Sequence, residues 1–116
     1  MIHRQLSQLS EQALLPGGTA KIIHSERMTF AYWTLKAGTV LPEHSHPHEQ
    51  AVHVLSGETI IAVEGAELKI TSGSIVLIPS GSSHSAKAIT DTVILDAFTP
   101  RRADLPESDE ITIGEN

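Results

Sequence analysis

The chain has 116 residues, 40% of them hydrophobic and 19% charged, and no cysteine. That suits one domain around one core and excludes disulfides, thiolate metal sites and cysteine nucleophiles. The formal charge of -6 at pH 7, with Asp104, Glu107, Asp109, Glu110 and Glu115 gathered after Ala103, offers no basic face for phosphates, so nucleic acid is not an expected partner.

The opening stretch MIHRQLSQLSEQALL is mixed and lacks the apolar run of a secretory signal. The longest clearly apolar runs, Ile60 to Val63 and Ile75 to Ile78, fall far short of the roughly 20 residues that span a bilayer. The expectation is a cytoplasmic protein without membrane contact.

Pro16-Gly17-Gly18 breaks the chain, and short β-rich runs then alternate with Gly, Pro, Ser and Asp. Strands are predicted near Ala20 to Ile23, Met28 to Leu35, Ala51 to Leu55, Thr59 to Val63, Glu67 to Ile70, Ser74 to Ile78, Ser83 to Ile89 and Val93 to Phe98. None keeps a 3.6-residue period, so the pattern points to an all-β, closed or double-sheet antiparallel barrel. In the second run Trp33 falls on one face and Phe30 and Tyr32 on the other, so one set packs inward and the other is placed to meet a partner. The segment ADLPESDEITIGEN after Arg102 reads as a solvated acidic tail or as a strip along an edge strand.

Four of the seven histidines lie in HSHPHEQAVHVLSG, residues 44–57. Side chains two apart share a face of an extended strand, so His44 and His46 are expected to aim two imidazoles at one point. Imidazole suits Zn, Ni, Mn, Fe and Co.

Gly38, five residues, His44-x-His46, three residues, Gln50, six residues and Gly57 have the spacing of the first cupin motif. Gly73, five residues, Pro79-x-Gly81, two residues and His84 resemble the second, with Ala88 where Asn is frequent. The resemblance implies a single cupin domain over 1–116, with a double-stranded β-helix (jelly-roll) core near 20–100 and an acidic tail near 103–116. It also implies one divalent transition metal on His44, His46, Gln50 and His84, with open positions for substrate.

Cupin spacing selects Gln50 over Glu49, although most cupins carry Glu there. The change removes the anionic ligand, so the ion keeps its charge and favours an anionic substrate. Alternation from Gln50 leaves His53 on the opposite face from Val52 and Val54. Pro47 interrupts the strand and sets His48 beside the ligands or in solvent. His3 and His24, outside both motifs, are read as solvated.

The run Asp96-Ala97-Phe98-Thr99-Pro100-Arg101-Arg102 resembles the end of the KdgF-type cupins of pectin and alginate breakdown. Their implied activity is linearisation of 4,5-unsaturated uronates to open-chain keto-uronates. On that resemblance Asp96 shuttles protons, Phe98 walls the pocket, and Arg102, with Arg101 as its competitor, pairs with the carboxylate of a small anionic sugar. Small cupins also pair through sheet faces or edges, so a homodimer is expected. Two alternatives stand beside this reading: a metal-dependent dioxygenase acting on a small enediol or phenolic substrate, and a non-catalytic sugar-binding cupin.

Overall fold

The computed structural model describes residues 1–111, and ten strands form within them. They are β1 Gln12–Leu15, β2 Gly18–His24, β3 Thr29–Leu35, β4 Val40–His44, β5 Glu49–Ser56, β6 Glu58–Val63, β7 Ala66–Thr71, β8 Ile75–Ile78, β9 His84–Ala88 and β10 Thr92–Thr99. A six-stranded sheet runs β1-β2-β3-β10-β5-β8 and a four-stranded sheet β4-β9-β6-β7, with neighbours antiparallel throughout. The all-β jelly roll expected from the sequence is the fold observed.

Two of the ten strands go beyond the eight predicted, and each has a physical reason. β1, QALL, has no β-branched residue to mark it, and it exists because Pro16-Gly17 turns it back onto β2. β4, VLPEH, contains Pro42, which a central strand does not tolerate; β4 lies at the sheet edge and its register with β9 shifts between Leu41 and His44.

Period-two alternation decides which face each strand buries. Ala20 and Ile22 of β2, Ala31, Trp33 and Leu35 of β3, Val52 and Val54 of β5, and Ile94 and Phe98 of β10 point inward. They meet Ile61, Ile70, Ile78 and Ala88. Phe30 and Tyr32 lie on the face opposite Trp33, as the alternation predicts, and that face is the outer one, where both are half-buried.

Burial reaches beyond the predicted core limits of 20–100, to Leu9 at one end and Ser108 at the other. The acidic segment follows the second of its two predicted courses. Ser108 takes up both backbone groups of Ile22, where β1 is too short to cover β2, and Leu9 bridges Glu110. Residues 112–116, the end of the predicted tail, lie outside the described residues. Among the described residues no helix is long and apolar enough to cross a membrane.

Candidate metal centre

Three elements deliver the site. His44 ends β4, and His84 opens β9 as its register partner. His46 lies past the end of β4, in the connection to β5. The expectation that His44 and His46 share one strand face is therefore corrected: the strand ends at His44, and His46 joins it from the connection to β5. Gly81, at φ 79° where a side chain would be strained, donates its N–H to the His46 carbonyl at 2.9 Å. That bond ties the turn before His84 to the loop carrying His46.

One ligand atom from each of His44, His46 and His84 lies within 4.8 Å of the others. Three histidines are thus positioned to bind a metal ion. In each ring Nδ1 faces a backbone carbonyl: Pro42 at 2.8 Å for His44, His48 at 3.0 Å for His46 and Ser82 at 2.8 Å for His84. A carbonyl only accepts, so Nδ1–H donates and Nε2 keeps its lone pair, as in metal-binding imidazoles.

The residues fit a cation on two further observations. His84 Nε2 is buried with no hydrogen-bond partner among the described residues. His46 Nε2 sits 3.1 Å from Gln50 Oε1, so two lone pairs face one another, an arrangement that a shared cation satisfies. Burial lowers the pKa of both His46 and His84, with the Arg102 charge and a neighbouring imidazole adding to the effect. Both rings are therefore neutral at pH 7 and need lose no proton to bind a metal.

His48 meets the His46 ring edge-on at 5.5 Å between centroids and contributes its carbonyl. His53 points to the outer face of the six-stranded sheet, half-buried. His24 departs from the expected solvated position. It is half-buried, with Nε2 on the Leu105 carbonyl at 2.8 Å and Nδ1 on Thr29 Oγ1 at 2.7 Å.

Beside the histidines opens a cavity of about 340 Å³. Strand register brings Phe98 opposite Gln50 and Asp96 opposite Val52, and all four residues line the cavity with Arg102. Asp96 is 5% exposed, and its Oδ1 has no hydrogen-bond partner among the described residues. Burial pushes its carboxyl up to about 7, although Gln50, Arg102 and Trp33 each pull the other way. Gln50 thus offers an amide oxygen toward His46 and an N–H toward Asp96, whereas Glu there would set two carboxylates against each other.

Arg102 stacks its guanidinium 4.9 Å from the Phe98 ring centroid. Its Nε and Nη2 donate to Asp104 Oδ1 and Oδ2 at 3.3 and 2.7 Å, and this holds the Asp104 carboxyl below its usual range. Arg101 is exposed and does not line the cavity.

Sequence reasoning missed Asp104, although its spacing of two from Arg102 was a readable signal. It also missed Thr29, fully buried, whose Oγ1 accepts the Arg102 backbone N–H at 2.8 Å. With that N–H already donated to it, Thr29 gives its own proton to His24 Nδ1, and His24 Nε2–H donates to Leu105. This chain of bonds staples the Arg102 segment to the ends of β2 and β3. Thr29→Val is expected to cost about 1–3 kcal/mol in urea unfolding, since it leaves buried polar groups unpaired.

Comparison with known proteins agrees with this architecture. A family model described as "Cupin domain" matches residues 31–98. The structure of KdgF from Halomonas sp. superimposes with a TM-score of 0.79 at 28% identity, over 82% of this chain and 89% of that one. An RmlC-like cupin from Shewanella frigidimarina gives a TM-score of 0.81 at 23% identity, over 84% and 89%. Salicylate 1,2-dioxygenase from Pseudoaminobacter salicylatoxidans gives 0.71 at 18% identity, over 74% of this chain and 27% of that longer one. The last two likenesses concern the fold alone. No curated protein sequence matches the chain. With the family model covering both histidine motifs, this chain belongs to the cupin family.

Proposed function

We propose that the chain is a metal-dependent enzyme that linearises 4,5-unsaturated uronates from pectin or alginate breakdown. The reading draws on the similarity to KdgF and rests on one observation above all: a buried carboxyl, Asp96, with an unpartnered oxygen among the described residues, in the cavity lined by Arg102 and by His44 and His84 of the three convergent histidines.

The reaction is an isomerisation. The C1 hydroxyl loses its proton, the bond from C1 to the ring oxygen breaks, and C1 becomes an aldehyde. The ring oxygen, now an enol at C5, becomes a ketone as C4 takes a proton. Nothing is oxidised, and every proton removed is returned.

His44, His46, Gln50 and His84 hold the metal, which supplies Lewis-acid stabilisation of negative charge on substrate oxygens. Asp96 carries the proton, since a carboxyl raised to about 7 both accepts and returns one at neutral pH. Arg102, held by Asp104 through Nε and Nη2, presents Nη1 to the substrate carboxylate. Phe98 walls the ring. Reaction in heavy water followed by proton NMR is expected to place deuterium at C4 with no uptake of oxygen. Oxygen consumption on a phenolic or enediol substrate, without such labelling, would favour the dioxygenase reading, to which the cavity's apolar inner wall lends support.

We further propose that the working form is a homodimer. Two cross-strand rows cover the outer face of the six-stranded sheet, Ile23-Phe30-Ala97-Ala51-Leu77 and Lys21-Tyr32-Leu95-His53-Ile75. Ile75 and Leu77 are 61% and 69% exposed. A second copy facing this sheet buries both rows. Leu95→Glu is expected to convert the dimer to monomer in sedimentation, with the metal content unchanged.

A further inference from the structure

Polar and apolar walls of the cavity separate along its depth. Down β10 the inward residues are Phe98, level with Gln50, then Asp96, level with Val52, then Ile94, level with Val54 and Trp33. From Phe98 to Ile94 is about 13 Å at the rise of a strand. The groups able to bind a polar ligand, namely the histidines, Gln50, Asp96 and Arg102, belong to the upper part of this descent.

The inner part is walled by Leu35, Ile61, Ile70 and Ile94, each at most 5% exposed. Thr59 also lines the cavity, but its hydroxyl donates to Thr92 Oγ1 at 3.3 Å. A hydroxylated ring driven into this chamber gives up hydrogen bonds to water and finds few to replace them. Hydrocarbon has the opposite preference.

We infer that the chamber takes the hydrocarbon part of a small monocarboxylate, alkyl or aryl, whose carboxylate stays at the mouth against the Arg102 guanidinium. The inference goes beyond the uronate reading, which fills only the mouth, and does not depend on it. It requires only that the charged end has a partner where the cavity opens and that the tail has apolar walls below.

The test is a homologous series from acetate to hexanoate titrated into the Zn(II)-loaded protein and followed by NMR. Affinity is expected to rise about fourfold with each added methylene until the chamber fills. The terminal methyl of hexanoate is expected to show nuclear Overhauser contacts with the side-chain methyls of Ile61, Ile70 and Ile94. Arg102→Gln should weaken every member by a similar factor and leave the dependence on chain length intact. Affinities that agree within about twofold across the series, or contacts confined to Phe98 and His84, would overturn the inference. Uronate turnover without chain-length dependence removes the chamber ligand and keeps the linearising reading; the reverse pattern does the opposite.

Discussion

Asp96→Asn is expected to slow turnover of a 4,5-unsaturated uronate by roughly 10²- to 10⁴-fold, the usual worth of a positioned acid or base, and also to stabilise the metal-free protein at pH 8. Asn keeps the shape and loses the titratable proton. The stability effect follows from burial: the folded carboxyl titrates at about 7 against an ordinary 3.8. Between those values the folded state holds a proton that the unfolded chain has released, so stability falls as pH rises through this window. Below about pH 4 the penalty is absent, and above pH 7 it is complete, of the order of a few kcal/mol.

Urea unfolding of chelator-treated wild type and variant from pH 4 to 8 measures this directly. The variant should gain on wild type as pH rises, and then level off. Parallel profiles would remove the premise that Asp96 is held out of water.

The second large effect concerns the metal. His84→Ala is expected to lower affinity for Zn(II) by more than 10²-fold, beyond the 10- to 100-fold typical of losing an outer partner of a ligand. His84 is the most buried of the three imidazoles, and its Nε2 has no other partner among the described residues. At a free metal concentration of about 100 times the wild-type dissociation constant, binding adds about 2.7 kcal/mol of stability. The variant should show almost none of that gain in thermal unfolding. His53→Ala, a change of the same residue type on the outer face of β5, should bind as wild type does. Equal metal-induced stabilisation of wild type and His84→Ala would move the site elsewhere.

Much of this was legible because its signals are short-range. Period-two alternation placed Trp33 on one face and Phe30 and Tyr32 on the other, and histidines spaced by two and by a turn marked the metal centre. Asp96 and Phe98, two apart, do share the inner face of β10. What was not legible depends on partners distant in sequence. β1 and β4 carry weak local propensity and are strands because β2 and β9 supply their hydrogen bonds. His24 looked solvated because its partner Leu105 is 81 residues away. The Thr29 staple to Arg102 likewise spans 73 residues. The apolar chamber arises only where the inward faces of both sheets meet, so no single strand announces it.

The most direct test of the linearising activity is ultraviolet absorbance of 4,5-unsaturated galacturonate mixed with metal-analysed protein, beside a chelator-treated control. The conjugated enol ether absorbs, and linearisation destroys it. Rapid loss of absorbance that stops on chelation and returns on metal addition is the predicted result. Loss no faster than the spontaneous rate, with metal bound in full, would contradict it.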